Sequence, residues 1–220
     1  VTAAWILEEG LVPSPDYMPD PCYGSVSYGG NVFRCWGTHG RINILEALAV
    51  SCDSYFYRVV QNGNMDNLAK MARSMGMGAR VTGLLPGEAS GVVPDRDYMN
   101  SRYGPGGWGQ GNLLNLSIGQ GELLASPLQM AVVSGLVASM GDMPPLSLIV
   151  GEDPCGVKLA PPISPDNLAV IDQALRAAVT RRGGTLFSAM HDSPLPFRAK
   201  SGTAETYAGL DHAWVCGYLP

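Results

Sequence analysis

Two short stretches of this chain hold the residue types that serine acyl transfer needs. Lys200-Ser201-Gly202-Thr203 sets a lysine and two hydroxyls around a glycine, and Ser51-Cys52-Asp53 sets a hydroxyl beside a carboxylate. A hydroxyl becomes an effective acyl acceptor only when a neighbour takes its proton and fixed donors hold the developing oxyanion. Lysine can join that machinery if burial or another cation lowers its pKa. One arrangement of this chemistry uses three elements in order: Ser-x-x-Lys, then a Ser-x-Asn or Ser-Asp-Asn turn, then Lys-Thr-Gly. The second and third have counterparts here. The first does not: the residues three before Lys70, Lys158 and Lys200 are Asn67, Cys155 and Phe197.

A second set of chemical residues overlaps the first. Cys22, Cys35, His39 and Cys52 follow the spacing C-x12-C-x3-H-x12-C. Zinc favours four soft or borderline ligands in a closed tetrahedron, and Cys3His is a recognised structural set. The short gap from Cys35 to His39 lets one turn offer two ligands, and Cys52 would tie them to the turn carrying Ser51 and Asp53. The competing expectations are a Cys22–Cys35 disulfide, which leaves His39 and Cys52 unexplained, and unconnected buried thiols. Cys155 and Cys216 bring the total to five, an odd number that cannot all pair.

These residues need elements to position them. Asn43 opens a helical pattern, "NILEALAV", which breaks at "SCD" and resumes as "SYFYRVVQNG" up to Gly63, so Ser51 to Asp53 fall in an interhelical turn. Met65, Leu68, Met71, Ala72 and Met75 recur at helical spacing and read as a core stripe, not a cofactor site. Ser126-Pro127 and Ser164-Pro165 each pair an N-cap with a first-position proline. "LSLIV" reads as a short strand, and "FRAKSGTAE" with "HAWVCGYL" as a hairpin. "VTAAWILEEG" reads as an amphipathic helix, and residues 13–41, rich in Pro, Gly, Tyr and Cys, as an irregular surface insertion in need of a staple. Helices with a terminal antiparallel sheet make an α+β chain.

Composition narrows the partners. With 220 residues, 46% of them hydrophobic, the chain can bury a substantial core as one domain or a tight pair of subdomains. A formal net charge of -5 with no basic patch argues against nucleic acid. No apolar run approaches the length of about 18 residues that a membrane span needs.

Around the two motifs, "TAE" and "HAWVCGY" follow Lys200-Ser201-Gly202, and "NLSIGQGELLASPLQMA" lies between them and the Ser51 turn. Together these resemble the transpeptidase domain of class B penicillin-binding proteins along nearly the whole chain. "HGRINILEALAVSCDSYFY" and "GLLPGEASG" narrow the resemblance to the elongation-type penicillin-binding protein 2 group. The resemblance implies the penicillin-binding protein and serine β-lactamase-like fold, with helices packed on an antiparallel sheet. It also implies that residues 1–220 are a fragment, with the Ser-x-x-Lys motif before Val1 and further strands and a last helix after Pro220, and that the fragment alone is inactive.

The resemblance further implies roles. A serine before Val1 attacks the penultimate D-alanine carbonyl of a peptidoglycan stem peptide, releases the terminal D-alanine and passes the acyl group to an amine; β-lactams mimic that peptide. Ser51 relays protons with electrostatic support from Lys200, Gly202 admits substrate backbone, Ser201 and Thr203 hydroxyls hold the substrate carboxylate, and the Thr203 N–H supplies half of an oxyanion hole. Asp53 stands where much of the family has asparagine; beside Lys200 it is expected to keep the lysine charged and to have its own pKa lowered. A membrane anchor outside these residues, the periplasmic face of the inner membrane and a membrane glycan polymerase as partner are implied as well. Other readings are a catalytically silent homologue that docks onto wall-synthesis partners, or a β-lactamase or β-lactam sensor of related fold. At residue level, Ser51 and Asp53 could simply cap the following helix, and Lys200 could be a solvated edge-strand lysine.

Overall fold

The structure, a computed structural model, describes residues 1–144, 146, 158–205 and 209–220. Its elements run α1 (Thr2–Glu8), β1 (Ser25–Tyr28), β2 (Asn31–Arg34), α2 (Ile44–Ala49), α3 (Asp53–Val59), α4 (Met65–Ser74), α5 (Arg96–Tyr103), α6 (Gln110–Ser117), α7 (Pro127–Ala138), α8 (Pro165–Thr180), α9 (Phe187–Met190), β3 (Arg198–Ala204) and β4 (His212–Tyr218). This is the α+β arrangement expected from the sequence.

Local chemistry sets the helix starts. Asn43 accepts from the Glu46 N–H at 3.0 Å while Glu46 accepts from the Asn43 N–H at 3.3 Å, a reciprocal cap on α2. Ser126 and Gln129 repeat the device on α7, with Pro127 at its first position. Ser164 caps α8, and the Glu8 carboxylate reinforces that end by accepting from the Ser164 N–H at 2.6 Å and from Asn167 at 2.8 Å. In α4 the expected stripe is buried, with Met65, Leu68, Met71 and Ala72 all in the core and Met75 just beyond.

The core gathers around α8, whose buried face is Leu168, Ile171, Ala174, Ala178 and Val179. Small Ala174 and Ala178 let neighbours approach closely, and α8 packs against α2, α1 and β3. Trp5, Ile6, Ile44, Leu114 and Leu136 are fully buried in the same cluster, each stabilising the fold by roughly 1.5–3 kcal/mol relative to exposure. β3 and β4 pair antiparallel with Lys200 opposite Cys216, Ser201 opposite Val215 and Gly202 opposite Trp214. Because α2 and β3 both lie on α8, the turn after α2 and the lysine motif on β3 meet.

Several expectations change. α1 is buried along Ala3–Ile6 rather than two-sided, because helices cover it from more than one direction. Residues 13–41 contain a hairpin: Ser25–Tyr28 pairs with Asn31–Arg34 across Gly29-Gly30, both at positive φ, the conformation a tight two-residue hairpin turn demands. α5 and α6 have no counterpart in the sequence reading, although Asp95 caps α5 by accepting from the Tyr98 N–H at 2.8 Å. In "GLLPGEASG", the Glu88 carboxylate accepts from the Thr82 hydroxyl and from the N–H groups of Val81, Thr82 and Gly83; the Thr82 hydroxyl first among these holds it down to about 2. The strand expected at "LSLIV" falls, apart from Leu146, outside the described residues.

Candidate active site

Ser51 owes its position to how α2 ends. The Cys52 N–H reaches back to the Ala47 carbonyl at 2.8 Å and the Ser51 N–H to the Leu48 carbonyl at 3.3 Å, which is the Schellman pattern. That pattern puts Ser51 in the left-handed region, at φ 53, where glycine is usual and a serine costs on the order of 1–3 kcal/mol. The remaining carbonyls of the turn are taken by distant groups. The Trp36 indole N–H donates to Val50 at 3.0 Å and to Ser51 at 2.7 Å, and the Thr185 N–H donates to Ala49 at 3.1 Å. The strained serine is therefore held from two sides. α3 begins at Asp53 after Cys52, with no side-chain cap, so Ser51 and Asp53 are not there as caps.

Lys200 reaches across from β3. Its ammonium donates to the Ser51 hydroxyl and, at 2.7 Å, to the Ser201 carbonyl, so it is not a solvated edge lysine. Burial pushes its pKa down to about 8 against the opposing pull of Asp53. The expectation for Asp53 is reversed. Burial first, and then the Cys35 sulfur, push its carboxyl up to about 7, although the Trp36 backbone N–H donates to it and Lys200 is nearby. Desolvation outweighs the lysine.

The exposed part of β3 lies beyond. Gly202 and Thr203 are exposed, and a side chain at Gly202 would meet only Trp214 Cβ at 3.8 Å, so the strand face is open there. Ser201 Oγ lies 2.7 Å from Thr185 Oγ1, and the Thr203 carbonyl accepts from Gln120 at 2.9 Å. Trp36, Thr185 and Gln120 escape the sequence reading. Trp36 and Gln120 sit in stretches singled out there, Thr185 does not, and nothing in the sequence marks any of the three as a partner of the motifs.

The second residue set converges against the same turn. Backbone bonds between Cys22 and Gly40, and from the Cys35 N–H to the Gly24 carbonyl at 2.8 Å, fold the segment so that one ligand atom from each of Cys22, Cys35, His39 and Cys52 lies within 4.8 Å of the others. A tetrahedron with Zn–S bonds of about 2.3 Å has edges of roughly 3.8 Å, so the spacing fits. His39 Nδ1 faces the cluster, 3.7 Å from the Cys22 sulfur and 3.5 Å from that of Cys35, while its Nε2 is buried without a partner. A hydrogen bond from Cys52 brings the Cys35 thiol down to about 3, and Cys52 moves up correspondingly. Cys22, Cys35 and Cys52 are free of disulfides. Cys155 lies outside the described residues.

Helices packed on an antiparallel hairpin thus present a strand lysine bonded to a serine in a strained interhelical turn. Residues 1–220 match throughout the family model described as penicillin binding protein transpeptidase domain, and the chain belongs to that family. It is 29% identical over 230 residues to the peptidoglycan D,D-transpeptidase MrdA of Haemophilus influenzae, covering 91% of this chain and 35% of that protein. Among solved structures, the penicillin-binding protein PBP2 of Helicobacter pylori superposes with a TM-score of 0.89 at 26% identity, over 100% of this chain and 41% of that one. A chain from a structure describing coordination of polymerization and crosslinking by a peptidoglycan synthase complex superposes at 0.86 with 33% identity, over 100% of this chain and 38% of that one. The chain spans about a third of the length of the curated relative it matches. Among the described residues no helix is long and apolar enough to cross a membrane.

Proposed function

We propose that the full-length protein is a peptidoglycan D,D-transpeptidase of the elongation type and a target of β-lactams. The observation that carries this reading is the hydrogen bond from Lys200 to Ser51, which assembles a proton relay from two motifs far apart in sequence. A serine outside these 220 residues attacks the penultimate D-alanine carbonyl. The Thr203 N–H then helps to hold the oxyanion, and the Ser201 and Thr203 hydroxyls hold the substrate carboxylate. As the C–N bond breaks, Ser51 Oγ–H gives its proton to the leaving D-alanine amine and regains, through Lys200, the proton that the attacking serine has released. The acyl group then passes to an amine on a neighbouring strand.

Cys22, Cys35, His39 and Cys52 would hold a structural zinc, which supplies a rigid tie and no step of the reaction. Through Cys52 and the adjacent Trp36 that tie bears on the Ser51 turn. The enzyme works outside the cytoplasm at the inner membrane, where stem peptides are cross-linked, beside a glycan polymerase. The likeness to a chain of a peptidoglycan synthase complex supports that partnership.

Incubating the full-length protein with a penicillin and mapping the adduct by mass spectrometry tests the reading. One stoichiometric ester on a serine preceding Val1 is expected, and residues 1–220 alone should carry none. An ester on a serine within residues 1–220, or no adduct on the full-length protein, would overturn it.

A further inference from the structure

Thr185 joins the two motif-bearing elements. Its N–H donates to the Ala49 carbonyl at 3.1 Å in the turn that strains Ser51, and its hydroxyl lies 2.7 Å from that of Ser201 on β3. The loop that presents it is built for the purpose. After α8 the chain turns back through Gly183-Gly184, with the Gly184 N–H on the Arg181 carbonyl at 2.9 Å and the Leu186 N–H on the Ala178 carbonyl at 3.0 Å. A side chain at Gly184 would meet the carbonyl oxygens of Ala178 at 2.5 Å and Ala177 at 2.7 Å, so only glycine lets the loop lie this close to α8. Arg181 pairs with Glu46 at 2.8 Å, fastening the same loop to the other end of α2.

The hydroxyl pair has a directional consequence. Each hydroxyl carries one proton and can accept others, so only one of the two donates in the bond they share. When Ser201 donates to Thr185, its proton is used inside the protein. When Thr185 donates to Ser201, the Ser201 proton is free for an anion in the cleft. A carboxylate approaching Ser201 selects the second arrangement, and Thr185 makes the resulting chain of two hydrogen bonds cooperative.

We propose that Thr185 is a positioning residue for the substrate carboxylate: it donates to Ser201 Oγ and thereby aims the Ser201 proton at the terminal carboxylate of a D-alanyl peptide or its β-lactam mimic. This rests on the transpeptidase reading above. Thr185→Val removes the hydroxyl and keeps both the shape and the backbone bond to Ala49, whereas Thr185→Ser keeps the hydroxyl.

The test compares acylation of the full-length protein by a penicillin and by the methyl ester of the same penicillin, in which the carboxylate is masked. In Thr185→Val the rate with the free acid is expected to fall about tenfold, the loss of one charge-assisted link, while the rate with the ester stays at the wild-type value. Thr185→Ser is expected to restore the wild-type acid-to-ester ratio. If Thr185→Val does not fold, Thr185→Ala reads the same ratio. An unchanged acid rate, or an equal fall for acid and ester, overturns the proposal. A wild-type protein that penicillin does not acylate at all overturns the transpeptidase reading and this inference together.

Discussion

The Lys200 ammonium meets the Ser51 hydroxyl across 149 positions of sequence, and it does so at a serine held in a left-handed conformation. Neither residue can be placed by its own element. β3 brings the lysine, the end of α2 brings the serine, and α8 holds the two elements together.

Lys200→Ala in the full-length protein should lower β-lactam acylation by about 10²–10³, as expected for removing a preorganised electrostatic group. Stopped-flow or quenched acylation rates measure this, and near-normal rates would make Lys200 a structural residue only.

The acylation rate should fall as pH rises through about 8, where the buried Lys200 loses its proton and its electrostatic support for the relay. Below that pH the lysine is charged and the rate should be level on this account. The descending limb should vanish in Lys200→Ala; its persistence there would assign it to another group.

Trp36 is 64% exposed, so burial is not what recommends it; its indole N–H, shared between the Val50 and Ser51 carbonyls, is. Trp36→Phe keeps a ring whose edge can meet His39 and removes that donor. Acylation should slow up to about tenfold, matching a net hydrogen bond of about 0.5–1.5 kcal/mol, with metal content unchanged. Equal rates for the variant and the wild type would show that the turn holds its shape without the indole.

Purified full-length protein should contain one zinc per chain by elemental analysis, and Cys35→Ser or His39→Ala should reduce it sharply. A metal that binds only the folded state stabilises it by about 2.7 kcal/mol at 100-fold over Kd, so a strong chelator should lower the thermal midpoint of the wild type and leave that of Cys35→Ser unmoved. Metal-free wild-type protein of undiminished stability would defeat the zinc assignment.

Much of this molecule is legible in the chain itself, because its signals are local. Asn43 with Glu46, Ser126 with Pro127 and Ser164 with Pro165 announce their helices through bonds that span a single turn. The stripe of α4 follows from the helical period, and the β3–β4 hairpin from residues that favour strands. The hairpin within residues 13–41 was equally local in its Gly29-Gly30 turn, but the surrounding proline, glycine and cysteine content concealed it. The Ser51 and Lys200 motifs and the Cys3His spacing are also visible, as residue types in order.

Tertiary structure decided what those residues experience. Ser51 adopts a glycine-like conformation because Trp36, from the loop before α2, and Thr185, from the loop after α8, take the carbonyls that the turn leaves exposed. Asp53 moves up rather than down because burial is a property of everything packed around it, and no spacing encodes how much water is removed. Gln120 and Thr185 reach β3 only after α6, α8 and the hairpin have docked. Local hydrogen bonds and periodicity are carried by neighbours in sequence, whereas desolvation and cross-element contacts exist only once distant segments share one core.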